Sequence, residues 1–425
     1  MATPTSRRAF LRTLAGTAAG FSALDGATAL EASPRRPLRG RSVDEPFWEA
    51  VKARFPLRDD ILPMNAANLA PAPSAVMEAV ITTMRNLEGD VSAQNRAKFS
   101  GIQTAARERM ATLLGADPGE IALVRNASEA NNIVVGGLPL GPGDEVLLFD
   151  QNHQTNSDSW AVRADRYGYT VREIGVEGQP GSSQGLVELF VGAIRPATRV
   201  ISFSDLSNTT GLQLPTREIC HAARERGIYV HVDGAQTLGA VQRDLHDLGC
   251  DSYAASAHKW LMGPKEVGVP YVRADRVDDL WPGVVGVGYG SGPEPNADGA
   301  GKFETLGQRN DATIAGLLPI LDLYDEIGSA VIAARIVELA SLLKEGIGGI
   351  PGAQLVTPVA PALSGGVVIS SYPGKNNRDI YQTLYNEHSI AGASTGGVRL
   401  CPHVYTTRAD IERTVDALER VVAAA

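Results

Sequence analysis

The sequence predicts an α/β protein with a mostly parallel sheet wrapped by helices. Between residue 71 and about residue 290, short apolar runs alternate with longer segments of helical spacing, the pattern of crossover connections between parallel strands. The run Ile228-Tyr229-Val230-His231-Val232 is almost continuously apolar, as suits a strand buried on both faces. Polar residues gather where such runs stop: Asp233 follows this one directly, and Ser256-Ala257-His258-Lys259 follows the run from Ser252 to Ala255. In open α/β sheets, ligands bind beyond the carboxyl ends of the strands.

Taken in order, Asp44 to Arg58 reads as a first helix, with Phe47, Trp48, Val51 and Phe55 at helical spacing. Ser74 to Glu88 and Gln94 to Leu114 repeat the pattern, the second closed by Gly115. Ile121 to Arg125 is a short strand, and Asn126 to Asn131 opens a helix running to Leu138. Strands are expected at Asp144 to Phe149, Tyr169 to Val176 and Thr198 to Phe203, with a helix within residues 181–193. Thr216 to Arg226 is helical, with Gly227 as its C-cap before the strand that ends at Asp233. Glu266 to Val272 reads as a further strand, antiparallel and buried. Val284 to Gly301 is rich in Gly and Pro and reads as an active-site loop near a subunit boundary. Helices at Ala312 to Ile327 and Val331 to Gly346, strands around Gln354 to Val356 and Gly366 to Ser370, and a helix from Asn377 to Glu387 follow. A strand around Val398 and a closing helix from Arg408 to Val422 complete the chain.

The 425 residues are 44% hydrophobic and 20% charged, enough apolar material for a large core. The net charge of −9 disfavours nucleic acid as a partner, because phosphate backbones call for basic patches. No apolar run has the length of a membrane span. Ser6-Arg7-Arg8-Ala9-Phe10-Leu11, a mildly apolar stretch to Leu24, and Ala27-Thr28-Ala29 resemble a twin-arginine export signal with its cleavage site. Residues 1–40 are therefore set aside as signal and linker, and a periplasmic or secreted protein, exported folded by the twin-arginine machinery, is expected. Three cysteines, Cys220, Cys250 and Cys401, are too few and too scattered for a disulfide framework.

Asp233 and Lys259 stand 26 residues apart at the ends of two strands and can converge on one ligand. The chemistry that uses this pair is that of pyridoxal 5'-phosphate. A lysine amine forms a Schiff base with the aldehyde, and a carboxylate keeps the pyridine nitrogen protonated. Asp233-x-x-Gln236 and Ser256-x-His258-Lys259, in this order, resemble the class V aminotransferases, which include cysteine desulfurases, selenocysteine lyases, kynureninases and isopenicillin N epimerases. The resemblance spans roughly residues 45–425. It implies a fold type I enzyme: a large cofactor-binding domain over 71–300 with a mostly parallel seven-stranded sheet, and a smaller α+β domain from 41–70 and 301–425.

The resemblance also implies roles. His153 in Asp150-Gln151-Asn152-His153, with Trp160 beyond it, corresponds to a ring stacked on the cofactor, and Asn208 to the contact with its phenolic oxygen. Ala127 and Ser128 stand at a helix N-terminus suited to the cofactor phosphate, although an ordinary N-cap with no ligand is the commoner role for a residue such as Ser128. Gln308 stands where the family usually has a Thr that reaches the neighbouring subunit's phosphate; Arg309 compensates there or is a surface charge. That segment implies a homodimer. Arg399, before Pro402-His403-Val404-Tyr405, corresponds to the arginine that binds a substrate carboxylate, and Asn65 lies in the opening active-site segment. No metal is implied.

Desulfurases need a mobile cysteine nucleophile before the carboxylate arginine, and Ser389 to Gly397 contains none; Cys401 reads as a core filler. The remaining motifs lean towards the isopenicillin N epimerase-like branch. That branch and the export signal together imply transamination, epimerisation or related tailoring of an amino acid or peptide-borne amine, such as a periplasmic siderophore peptide. The alternatives are a C–S lyase of the desulfurase type and a non-catalytic binding protein on the same fold.

Overall fold

The computed structural model describes residue 38 and residues 42–176, 181–287, 289 and 299–425. The proposed export signal lies outside them, as does most of the Gly/Pro-rich stretch.

Helix α1, Glu45–Lys52, is capped by Asp44, whose carboxylate accepts from the Phe47 N–H, and it buries Phe47, Trp48 and Val51. It stops short of the expected Arg58, yet Phe55 still packs edge-on against Tyr405 with ring centroids 5.2 Å apart. Strand β1, Leu62–Pro63, comes next, then α2, Ser74–Gly89. The helix expected over 94–114 is interrupted: a turn at Ala93–Arg96 tightens into a 3₁₀ turn at Ala97–Phe99 before α3, Ser100–Leu114. The Ser100 hydroxyl donates to the Ala97 carbonyl at 2.9 Å, a local bond that competes with helix continuation. Gly115 ends α3 at φ 59°, where it is free of a Cβ penalty.

Residues 121–124 lie beside the last strand of the main sheet through two isolated antiparallel bridges, Ile121 to Tyr271 and Val124 to Gly268. Pro270 between those bridges has no N–H to donate, so the expected seventh strand stays an incomplete ladder. Helix α4, Ala127–Gly137, is capped by Asn126, whose side chain accepts from the Glu129 N–H at 2.9 Å; Ser128 is not the cap. The chain then alternates: β2 Glu145–Phe149, α5 Gln154–Tyr167, β3 Thr170–Ile174, α6 Ser183–Ala193, β4 Thr198–Ser204, α7 Thr216–Arg224, β5 Tyr229–Asp233, β6 Ser252–Ser256 and β7 Gly268–Val272.

These strands form a six-stranded sheet in the order β3-β2-β4-β5-β6-β7. All neighbours are parallel except β7, which runs antiparallel to β6 as the sequence predicts. Every residue of β2, β5, β6 and β7 is buried, which explains their near-continuous apolar runs. Parallel order with helical crossovers places the ends of β4, β5 and β6 side by side, with Ser204 paired to Asp233 and Asp233 to Ala254.

The helical pattern over 312–327 is divided at Gly316 into Asp311–Ala315 and α8, Leu317–Ile327. A Cβ on Gly316 would come within 2.7 Å of the Val80 side chain on α2, so the glycine permits that close crossing. Then follow α9 Ser329–Gly349, β8 Gln354–Leu355, β9 Val368–Ser371, α10 Asn377–His388, β10 Ile390–Ala391, β11 Val398–Leu400 and α11 Arg408–Ala424. Strands β11, β9 and β8 form a second, antiparallel sheet, and β1 pairs in parallel with β10. Leu62 and Met64 share an apolar cluster with Leu339, Leu343, Ile380, Leu400 and Leu418, so the chain's beginning and end close one core. Among the described residues, no helix is long and apolar enough to cross a membrane.

Candidate active site

Asp233 is the last residue of β5 and is 3% exposed. Its Oδ1 accepts from the Ala235 N–H at 3.0 Å, and its Oδ2 accepts from Asn131 Nδ2 at 3.0 Å. Lys259 lies in the turn after β6. There Ala257 bonds to Val267 and Gly263 bonds back to Ala257, and Met262 and Glu266 adopt positive φ of 59° and 61°. Those two side-chain-bearing residues carry the backbone cost of folding the lysine back over the sheet edge.

Lys259 opens into a cavity of about 560 Å³, shared with His153, Asn208, Gln236 and Arg399 and reached past Asp150. Burial lowers the Lys259 pKa; Asp233 opposes the shift and the Arg399 cation adds to it. A lysine in this setting gives up its proton more readily than an exposed one. His153 is the N-cap of α5. Its Nδ1 accepts from the Thr155 N–H at 3.2 Å, which leaves the neutral ring's proton on Nε2. Burial, and then the Lys259 cation, lower its pKa.

Arg399 is held by its register in β11, opposite Ile369 of β9. Its Nη1 donates to the Asn208 carbonyl at 3.0 Å and its Nη2 to Asn65 Oδ1 at 3.2 Å. Its Nε–H is buried and has no protein partner. Asn208 Oδ1, on the same cavity wall, is likewise buried and unpaired. Gln236 is committed at both ends: it donates to the Ala67 carbonyl at 3.0 Å and accepts from Trp260 Nε1 at 2.8 Å. At the cavity mouth, burial and then the neighbouring Glu173 raise the Asp150 pKa.

The residues expected at the cofactor phosphate are not gathered in this cavity. Ser256 Oγ accepts the Ala127 N–H at 2.6 Å, so that amide is taken by the strand beside it. Ser128 faces a second cavity of about 540 Å³ with Arg125, Asn132 and Arg163. Gln308 and Arg309 line a third, of about 460 Å³, where the exposed Gln308 accepts from Arg96 at 3.2 Å. Arg309 Nη1 is buried without a partner. His258 is half-buried, and burial followed by the Lys259 and Lys265 cations brings its pKa to about 4.

Sequence reasoning passed over several residues here. Asn131 and His231 lie fully buried behind Asp233, and Asn152, just past β2, clasps the end of β4 by donating to the Ser202 carbonyl and accepting from the Ser204 N–H. Of these, His231 carried a signal, a polar side chain inside an otherwise apolar run; Asn131 and Asn152 stand among other polar residues and carried none. Among the described residues, Asp117, Glu120 and His246 form the one group close enough to hold a metal. Glu120 is already bonded there to His246 and to the Asp117 and Ala274 N–H groups, so the group serves as a cross-link between segments.

The residues fit pyridoxal phosphate on the structure's own terms. The cavity holds a lysine with a lowered pKa, and the buried Asp233 carboxylate, though not part of the cavity lining, is near enough for its charge to act on that lysine. It also offers two buried polar atoms, Asn208 Oδ1 and Arg399 Nε, that lack protein partners and so call for a polar ligand.

The family profile described as Aminotransferase class-V matches residues 64–417. The isopenicillin N epimerase of Streptomyces clavuligerus is 32% identical over 388 residues, covering 88% of this chain and 98% of that enzyme. A probable cysteine desulfurase of Methanothermobacter thermautotrophicus is 27% identical over 402 residues, covering 88% and 98%. Among solved structures, a C-DES variant with glycine covalently linked to its PLP cofactor superposes with a TM-score of 0.80 at 26% identity, covering 87% of this chain and 98% of that one.

Proposed function

The chain belongs to the Aminotransferase class-V family and is a pyridoxal-phosphate-dependent enzyme, and from that premise we propose that it acts at the α-carbon and amino group of an amino acid, free or peptide-borne, as isopenicillin N epimerase-like enzymes do. The reaction is epimerisation, transamination or a related tailoring step. Once bound, the cofactor supplies an electron-withdrawing pyridinium ring joined to the substrate amine. The chain supplies the rest. Lys259 holds the cofactor through Nζ, and its lowered pKa suits it to take and return a proton at the substrate α-carbon. Asp233 would pair with the cofactor's ring nitrogen, His153 would cover its ring, and the Arg399 guanidinium, whose Nε–H has no protein partner, would fix the substrate α-carboxylate. Acidic residues at the mouth, Asp150, Asp158 and Glu173, favour a polar or cationic remainder.

The observation that carries this reading is Arg399 in the Lys259 cavity with no thiol among the residues that line it. Cys220, Cys250 and Cys401 are all buried, and none lines that cavity. Burial raises the Cys401 thiol pKa, which opposes the thiolate a sulfur-transfer nucleophile requires. The test is incubation of the cofactor-loaded protein in D₂O with free L- and D-amino acids and with peptides bearing a terminal α-amino acid, followed by proton NMR. Deuterium exchange at the α-carbon is expected; sulfide release from cysteine or cystine with no such exchange overturns the reading in favour of a C–S lyase. A protein that takes up no cofactor overturns it in favour of a binding protein. We also propose a homodimer in which the Gln308-Arg309 segment serves the partner's cofactor phosphate, and export through the twin-arginine pathway on the strength of residues 6–29.

A further inference from the structure

Behind Asp233 lies a chain of three fully buried polar side chains, from three different elements. Asn131 Nδ2, on α4, meets Asp233 Oδ2 at 3.0 Å. Asn131 Oδ1 meets His231 Nε2 at 2.9 Å, and His231 Nδ1 meets Ser252 Oγ, on β6, at 2.8 Å. Asn131, His231 and Ser252 are each 0% exposed. His231 and Asp233 stand two residues apart on β5, so they share a face of the sheet, and Asn131 spans them from the helix above.

The direction of every bond is determined. A carboxylate only accepts, so the amide nitrogen of Asn131 must face Asp233 and its oxygen must face His231. His231 therefore carries its proton on Nε2. Burial brings its pKa to about 4, so the ring is neutral and Nδ1 accepts from the Ser252 hydroxyl. Each donor thus points towards Asp233, and aligned bonds in a dry interior polarise one another. Buried polar groups are costly unless hydrogen-bonded, so breaking any one of these contacts leaves a dry, unpaired partner behind. An edge contact from Trp160, with its centroid 6.5 Å from that of His231, closes the region on one side.

We propose that Ser252, His231 and Asn131 form a one-directional hydrogen-bond relay that holds Asp233 as an oriented anion and so sets how firmly the cofactor's ring nitrogen keeps its proton. Asn131 and His231 are positioning residues: they touch neither cofactor nor substrate and act through Asp233. The inference rests on Asp233 facing the ring nitrogen.

The experiment loads the full chain with pyridoxal phosphate carrying ¹⁵N in the ring. It reads the nitrogen resonance by NMR and measures the cofactor dissociation constant of each apo-protein. Wild type should show a protonated ring nitrogen. Asn131→Leu and His231→Leu should move the resonance towards neutral pyridine and weaken cofactor affinity roughly ten-fold, the size of one charge-assisted bond. His231→Gln, which keeps a donor and an acceptor, should stay near wild type. Ser252→Ala, at the far end, should move the resonance the same way by less, and it serves where the larger changes prevent folding. A wild-type resonance and affinity in folded Asn131→Leu or His231→Leu, or an unmoved resonance in Ser252→Ala, overturns the relay. Asp233→Ala separates the two ideas: if it leaves the resonance unmoved, the placement of Asp233 against the ring nitrogen fails, whatever the relay does.

Discussion

Around Asp233, both carboxylate oxygens and the three polar side chains behind them find partners within one chain, on adjoining strands and the helix that covers them. Around the residues expected at the cofactor phosphate, one chain leaves the parts apart. Ser128, Gln308 and Arg309 open into two cavities other than that of Lys259, and a buried Arg309 nitrogen has no partner. The difference follows from the source of order. A parallel sheet fixes its strand ends through backbone registry, so residues at the ends of β4, β5 and β6 are placed by the fold itself. The segment 305–310 is irregular and has no ladder to fix it. The ring end of the site is thus assembled by one chain's strand ends, whereas the residues expected at the phosphate end stay apart in one chain, and the proposed dimer is what would bring a second set to them.

The largest effect that tests this contrast belongs to Lys259. Lys259→Ala should abolish covalent cofactor capture and lower turnover by ~10⁴-fold or more, as loss of an essential nucleophile does elsewhere. Borohydride reduction followed by peptide mapping should label Lys259 in wild type; a label on Lys265, the other lysine near this edge, defeats the assignment. The pH dependence has a definite sign. Capture needs the uncharged amine, so its rate should climb with pH, with a midpoint below the ordinary lysine value because burial lowers the Lys259 pKa. Arg399 adds to that lowering, so Arg399→Met should move the midpoint upward and Arg399→Lys should leave it in place.

Arg399→Lys then supplies the intermediate effect. The change keeps the charge but loses the planar fork, and with it the buried Nε–H and the bonds to Asn65 and Asn208. Loss of one charge-assisted pair is worth roughly 1.5–3 kcal/mol, so KM for an amino acid with a free α-carboxylate should rise about ten- to a hundred-fold. Cofactor absorption should stay unchanged. Equal kinetics in mutant and wild type would move the carboxylate site elsewhere; so would a substrate whose carboxylate is blocked and whose KM nevertheless rises by the same factor.

The unequal legibility of the two regions in the sequence has the same origin as their structural difference. The strand ends could be read because a buried strand is an apolar run and a ligand-binding residue is the polar one that stops it, as Asp233 and Ser256-Ala257-His258-Lys259 do. Arg399 could be read from the motif around it. Asn131, His231 and Ser252 could not, because they are remote in sequence and none alone is distinguished from an ordinary polar residue of a helix or strand. Only the β5–β6 register and the crossing of α4 bring them into line. Helix interruptions at Ala97–Phe99 and Gly316 escaped for a related reason: they coincide with a local hydroxyl–carbonyl bond and a close helix approach, and neither disturbs hydrophobic periodicity. Ser128 was open as a cap because Asn126 and Ser128 both favour that position; the structure gives it to Asn126.

The smallest effect sharpens the contrast most. Within one chain, Gln308 is exposed, donates only to the adjacent Arg309 carbonyl, and accepts from Arg96, contacts of the kind that contribute little at a surface. If it serves only its own chain, Gln308→Ala should change nothing. If it reaches the phosphate on a partner subunit, its amide supplies one hydrogen bond, and Gln308→Ala should weaken cofactor affinity about ten-fold, the lower end of the worth of a single bond to a charged group. Gln308→Thr, which keeps a donor, should lose less. The decisive feature is concentration. The penalty should be present where sedimentation shows a dimer and should vanish when the protein is diluted below its dimer dissociation constant, because wild type then loses the contact too. An effect that persists unchanged in the monomer would place Gln308 on its own subunit's cofactor, and no effect at any concentration would leave the phosphate to Ser128 and Arg309 alone.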